Sequence, residues 1–193
     1  MVGFGVLMVC TANLCRSPMA ERLFQHRVDV VGLGWSIRSA GTRALPDQPM
    51  HEQAARALAR RGIHTGDWRS RLLDADLVRE ADLILTSTAA HRGAVVMLEP
   101  RALGRTFPIL QFSRLVAAAA IGQSDLQWLS PAESGKRVIT AAVAARGRLQ
   151  PVDSGAEDVA DPIGHPQDAF DRCLDVLAAA VARIVPVAYR TQC

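Results

Sequence analysis

Cys10 and Arg16 stand with five residues between them in Val9-Cys10-Thr11-Ala12-Asn13-Leu14-Cys15-Arg16-Ser17-Pro18. A thiol is a useful nucleophile only as its thiolate, and a guanidinium presents two parallel donors that match the oxygens of a tetrahedral oxyanion. A loop of this length wraps such an anion with sulfur below it and guanidinium beside it. Sulfur attack on the central atom then needs an acid for the departing oxygen. Asp161, in Ala160-Asp161-Pro162-Ile163-Gly164, is the first candidate, since the proline stiffens its loop and a helix follows. On pattern alone Asp161, like its neighbours Asp153, Glu157 and Asp158, reads equally well as a solvated surface acid.

The elements that must position these groups follow from the hydropathy pattern. Residues 5–9 are a continuous apolar run, as in a buried central strand. Ser17 and Pro18 read as the N-cap and first residue of a helix through Ala20, Leu23 and Phe24. A strand, a tight turn and a helix N-terminus form an anion site, because unpaired backbone N–H groups and the positive end of the helix dipole converge there; the same field favours a thiolate at Cys10.

Further along, strands are expected at 35–39, 81–86 and 106–110, the last with a proline suited to a sheet edge. Helices are expected at 50–61 with Gly62 as stop, at 74–80, and from a cap at Ser87 or Thr88 to Met97. The order β-α-β-α-β-α-β predicts a three-layer α/β fold, a four-stranded parallel sheet with helices on both faces. Strand-like runs vanish from 111 to 155, where two helical segments appear, the second opened by the capping box Ser130-Pro131-Ala132-Glu133 and stopped at Gly147. Neither buries its apolar face alone, so 1–193 reads as one domain with a helical insertion at about 111–155 ahead of the acid loop. A helix at 167–184 closes the chain with a stripe of Phe170, Cys173, Leu174, Leu177, Ala178, Val181 and Ile184.

Composition narrows the class. At 193 residues the chain is long enough for a full core, and a net charge of +3 with interspersed signs argues against a nucleic-acid protein. The four cysteines, Cys10, Cys15, Cys173 and Cys193, fit no zinc spacing, and a domain of this size needs no disulfide staples. The apolar segment 2–9 is too short to span a membrane and lacks a signal-cleavage pattern. The expectation is a cytoplasmic protein with no membrane or nucleic-acid partner, no metal and no cofactor.

The loop resembles that of the low-molecular-weight protein tyrosine phosphatase family, which opens with an apolar strand running into Val-Cys-x-Gly/Ala-Asn-x-Cys-Arg-Ser-Pro-Met-Ala-Glu. Here the stretch runs from Val9 through Met19-Ala20-Glu21. Ser39-Ala40-Gly41-Thr42, Arg69-Ser70-Arg71, Ala81-Asp82-Leu83-Ile84-Leu85 with a following His91, and Asp161-Pro162 match as well. The resemblance implies Cys10 as nucleophile, Arg16 as phosphate clamp and Asp161 as general acid. Thr11, Ala12, Asn13, Leu14, Cys15 and Arg16 would form the phosphate-binding loop, with Asn13, Ser17 and Ser39 holding its shape. It implies a metal-independent phosphomonoester hydrolase working through a cysteinyl-phosphate, acting on phosphorylated protein or small aryl phosphates, with phosphate, arsenate or vanadate as site ligands. Cys15 is implied as a reversible disulfide partner of Cys10; a small side chain packing the loop is the alternative.

Three departures from the family pattern mark this chain. Ile163 stands where an aromatic residue usually walls the substrate slot, offering apolar area without ring stacking. Trp68 stands where a histidine commonly supports the loop network, and the insertion at 111–155 is additional. Two other functions share the loop: arsenate reduction by an external thiol, and a non-catalytic phosphate-binding module. The segment after the third strand, Thr86-Ser87-Thr88-Ala89-Ala90-His91, holds no cysteine relay for thioredoxin-coupled reduction. Cys173 is expected in the core, His91 and His165 in capping or surface positions, Trp35, Trp128 and Tyr189 in packing, and Cys193 without a role.

Overall fold

Four strands, β1 (Phe4–Cys10), β2 (Trp35–Gly41), β3 (Leu83–Thr86) and β4 (Thr106–Pro108), form one parallel sheet in the order β2-β1-β3-β4. The computed structural model describes residues 3–121, 126, 128–150, 152–153 and 155–185. Tyr189 and Cys193 lie outside them. Strand β1 sits between β2 and β3, and its side chains alternate between two apolar clusters. Phe4, Val6 and Met8 enter the larger one, Leu7 and Val9 the smaller, so both faces of the sheet are covered as a βαβ succession requires. The carboxyl end of β1 is the point from which the chain departs to opposite sides of the sheet, the place where open α/β sheets bind ligands.

Helix α1 (Arg16–Val31) follows β1 directly and packs on β2 and on α7 (Gln167–Ile184). α2 (Glu52–Ala59) joins them on that face, while α3 (Ala75–Glu80) and α4 (Ala89–Leu98) supply Val78 and Val95 to the smaller cluster. α7 spans the expected residues, and Phe170, Cys173, Leu174, Leu177, Val181 and Ile184 are all buried. Thr88 caps α4 and Asp74 caps α3 through their side chains.

Three expectations are corrected. Ser17 is not an N-cap: α1 starts at Arg16, Cys15 takes the cap position without a side-chain bond, and the Ser17 hydroxyl is turned elsewhere. The fourth strand ends at Pro108, since a residue without N–H cannot extend the ladder, and Ile109 and Leu110 open α5 (Ile109–Ala119), whose Ile109, Phe112, Leu115 and Val116 are buried at helical spacing. Trp128 is not packed but 87% exposed.

The two helices at 109–146 are joined to the rest by specific contacts. α6 (Pro131–Arg146) begins with the expected capping box and packs on α5 and on the sheet. The Trp35 indole N–H donates to Ser134 Oγ at 2.9 Å, and a side chain at Gly135 would collide with the Phe4 ring. Among the described residues no helix is long and apolar enough to cross a membrane.

Candidate active site

The loop between β1 and α1 is shaped by its backbone before any side chain acts. The carbonyls of Cys10, Thr11 and Leu14 accept from the N–H groups of Thr42, Arg43 and His51 at 2.9, 2.9 and 3.0 Å. In a trans peptide the next N–H points the opposite way, so the amides of Thr11, Ala12 and Cys15 face inward. Gly41 makes this possible: a Cβ there would lie 2.5 Å from Thr11 O and 2.7 Å from Asn13 N, leaving no room for any other residue. A concave row of donors at a helix N-terminus favours a bound anion.

Asn13 adopts φ 53°, the left-handed region uncommon outside glycine, and it is fully buried. Its amide is fully employed. Nδ2 donates to Ser17 Oγ at 2.9 Å and to Ser39 Oγ at 2.8 Å, and Oδ1 accepts from the Arg71 N–H at 2.8 Å. Ser17 Oγ, which accepts from Asn13, lies 3.0 Å from Cys10 Sγ, with the Ala40 carbonyl a second acceptor for its proton at 3.4 Å. With no capping bond to make, the Ser17 hydroxyl is available to the Cys10 sulfur.

The network continues inward through two residues that pattern reading did not place. Ser39 Oγ donates to Glu21 Oε2 at 2.5 Å, and the Trp68 indole N–H donates to the same oxygen at 3.1 Å. Glu21 is 5% exposed and Trp68 4%. A carboxylate so deep needs donors, and an indole can only donate. Trp68 therefore buttresses the loop from the position where a histidine was the expected support. Glu21 was visible only as the last residue of the quoted motif; a lone acid within an apolar helix start is the signal that points to it. In Arg69-Ser70-Arg71, the groups that touch the loop system are the Arg71 amide and the Ser70 hydroxyl, which donates to Leu45 O at 2.6 Å; both arginine side chains are exposed.

Asp161 reaches the loop from the far end of the chain. Arg16, nearly buried, donates from Nη2 to Asp161 Oδ2 at 2.5 Å, and from Nη1 to Val159 O at 3.4 Å. Nη2 also approaches Thr11 Oγ1 at 3.3 Å. The Asp161 side chain is 45% exposed and stands over the cleft, whereas Asp153 does not line it. Cys10 and Arg16 form the floor of this cleft, about 340 Å³ in volume, with Leu14, Ile163 and His165 at its rim.

His91 is a correction to the capping or surface role expected of it. It is 8% exposed, with Nε2 2.9 Å from Thr11 Oγ1 and Nδ1 2.6 Å from Thr88 Oγ1. Burial, and then the Arg16 charge, push its pKa below the ordinary value, outweighing Asp158 and Asp161, so a neutral ring links the loop to α4. His165 is exposed, as expected, at the rim. Cys15 also lines the cleft, and burial pushes its thiol well up, with Cys10 adding to the shift. Burial likewise pushes Cys173, in the core as expected, up to about 12. Among the described residues no group of three or more His, Cys, Asp or Glu side chains converges as a metal site would require.

A sequence profile described as low molecular weight phosphotyrosine protein phosphatase matches residues 5–126. The low molecular weight protein-tyrosine-phosphatase Etp of Escherichia coli strain K12 is 36% identical over 101 residues, which span 52% of this chain and 66% of Etp. The protein-arginine-phosphatase of Bacillus subtilis strain 168 is 34% identical over 107 residues, 55% of this chain and 71% of the relative. A low molecular weight protein tyrosine phosphatase from T. tengcongensis superposes with a TM-score of 0.71 at 24% identity, covering 95% of this chain and 98% of that one. The profile match ends before Asp161, while the superposition extends across nearly the whole chain.

Proposed function

The chain belongs to the low molecular weight phosphotyrosine protein phosphatase family, and from that premise we propose that it hydrolyses phosphotyrosine on proteins by way of a cysteinyl-phosphate at Cys10. The observation that carries this reading is the convergence on one cleft of Cys10 with its Ser17 partner, the Arg16 guanidinium, and Asp161. Cys10 attacks phosphorus in line as the inward amides and Arg16 take up the charge of the equatorial oxygens. Asp161 gives up Arg16 to the arriving phosphate, takes over the proton carried by the phosphomonoester monoanion and delivers it to the leaving oxygen; in the second step the carboxylate so regenerated removes a proton from the attacking water. The guanidinium and the amides supply the positive field, so the reaction proceeds without a metal ion. Leu14 and Ile163 at the rim offer apolar contact to an aryl ring. Cys15 lies close enough to share the cleft and serves as the disulfide partner of an oxidised Cys10. The free thiols Cys10, Cys15 and Cys173 suit the reducing cytoplasm, where we place the protein.

The Bacillus subtilis relative favours a second reading, phosphoarginine as substrate. Its guanidinium would need acceptors beside the phosphate, and Asp161, already required as acid, is the only carboxylate lining the cleft among the described residues. Purified protein is expected to release phosphate from aryl phosphate and phosphotyrosyl peptide in the presence of a chelator. Cys10→Ser is expected to abolish turnover while retaining inorganic phosphate binding. Full activity in that variant removes the mechanism, and turnover of phosphoarginine far above phosphotyrosine removes the substrate assignment.

A further inference from the structure

The acid loop is held by an unusual succession of anchors, one on nearly every residue. Val159 donates its N–H to Ser87 O at the end of β3 at 2.8 Å, and Asp158 Oδ1 accepts from the Ala89 N–H at the start of α4 at 2.8 Å. Val159 O and Asp161 receive Arg16. The remaining anchor is Glu157. Its Oε1 accepts from Arg114 Nε at 2.9 Å and Nη2 at 2.7 Å, and its Oε2 accepts from Gln111 Nε2 at 2.8 Å. Arg114 and Gln111 both belong to α5, and Arg114 Nη1 also donates to Gln150 O at 3.3 Å. Gln111 Oε1 in turn receives Arg146 Nη2 of α6, whose guanidinium lies over the Phe107 ring at 4.9 Å.

The side chains of Glu157 and Arg114 are 16% and 33% exposed, so this is a half-buried pair with three donors on one carboxylate rather than a surface ion pair. An exposed pair contributes little and tolerates many geometries. A partly desolvated fork to a carboxylate fixes orientation as well as distance. Of the four residues that hold the loop, Glu157 alone ties it to the helices at 109–146.

We propose that Arg114 and Glu157 are positioning residues for the proton transfer: the α5 helix, through this pair, sets the height and angle at which Asp161 meets the leaving oxygen. The inference rests on the reading of Asp161 as the general acid. It gives the helices at 109–146 a part in catalysis although none of their residues lines the cleft. A misplacement of the acid by an ångström or less suffices to slow a step whose rate depends on proton delivery, and leaves steps that do not depend on it untouched.

The test compares a poor leaving group, phenyl phosphate, with a good one, dinitrophenyl phosphate, in the full chain. Glu157→Gln and Arg114→Gln are each expected to lower kcat/KM, which reports only the steps up to transfer onto Cys10, between about 10- and 100-fold for phenyl phosphate, with kcat/KM for dinitrophenyl phosphate changed less than about twofold and inhibition by inorganic phosphate unaltered. Asp161→Asn should show the same selectivity more strongly, and adding Glu157→Gln to it should cost nothing more, because both changes remove one function. Arg114→Lys keeps the charge and loses the fork; it is expected to retain the fold and show the same selectivity in weaker form. Equal slowing of both substrates, no slowing of phenyl phosphate, or additive losses in the double variant overturn the inference while the phosphatase reading stands. A parent protein that turns over neither substrate, or Asp161→Asn as fast as parent on phenyl phosphate, overturns that reading and the inference with it.

Discussion

The phosphate loop at 10–17 and the acid loop at 157–161 meet in one cleft but are built on opposite plans. The first is held from within: Asn13, Ser17, Ser39, Glu21 and Trp68 form one continuous run of buried hydrogen bonds behind it. Every group has its partner, and the strained Asn13 is fixed by three of them. The second loop has no such interior. It is pinned one residue at a time to the end of β3, the start of α4, α5 and Arg16. Under the proposed function, anion binding would therefore be a property of one buried network, whereas acid delivery would depend on how several layers dock. The two halves of the reaction are exposed to different kinds of mutation.

Asn13→Ala is the heaviest blow to the first plan. It removes three buried hydrogen bonds and leaves alanine at positive φ, for an expected loss of roughly 3 kcal/mol in unfolding free energy. Turnover should fall alike for good and poor leaving groups, with phosphate binding weakened, the reverse of the pattern expected at Glu157. Leaving-group-selective slowing in this variant would break the distinction between the loops. Trp68→Phe is milder. It keeps the ring and withdraws one donor from the buried Glu21 carboxylate, at about 2 kcal/mol in denaturant unfolding and with phosphate affinity affected more than leaving-group dependence. An unchanged stability would mean that Glu21 is adequately held by Ser39 alone.

His91 joins the two regions, and its effect is the smallest. Its folded pKa is depressed by burial and by Arg16 from the model-peptide value of 6.5, so below that pH the unfolded chain takes up the proton more readily than the folded one. Stability is expected to be full above about pH 6.5 and to decline as pH falls towards the folded pKa. His91→Gln should remove this component. Denaturant midpoints at pH 7.5 and pH 5.5, with parent and variant falling in parallel, would show that the histidine contributes none of the slope.

The same contrast explains what could be read in the sequence. Residues 10–18 carry their meaning locally: an apolar strand, a short loop and a helix start are contiguous, and the expectations for Cys10 and Arg16 needed only that contiguity, whereas those for Asn13 and Ser39 came from the family resemblance. Even there Ser17 was misplaced, because Ser-Pro reads as a helix cap and only the tertiary fold shows the helix beginning two residues earlier with the hydroxyl beside the sulfur. Trp68 was legible as a departure but not as a substitute, since its use depends on a buried carboxylate 47 residues away. Glu157 and Arg114 were illegible. Their pairing depends on α5 beginning at Ile109, in residues whose β-branched and apolar run reads as strand until Pro108 ends the ladder.

Arg16 meets its substrate already partnered. With Asp161 on Nη2, the cleft holds an internal counter-ion, and under the proposed function an arriving phosphomonoester would exchange places with a carboxylate rather than fall onto a bare cation. With Asp161 as the proposed general acid, the exchange would temper ground-state affinity and be made good only when Asp161 meets the leaving oxygen, which favours the transition state over the bound substrate. On the same reading, once free phosphate remains and Asp161 has passed on the proton it took from water, the carboxylate competes for the guanidinium again, which would hasten the exit of product. Under the proposed mechanism the resting ion pair would then work as an ejector, resetting the cleft at the end of each turnover.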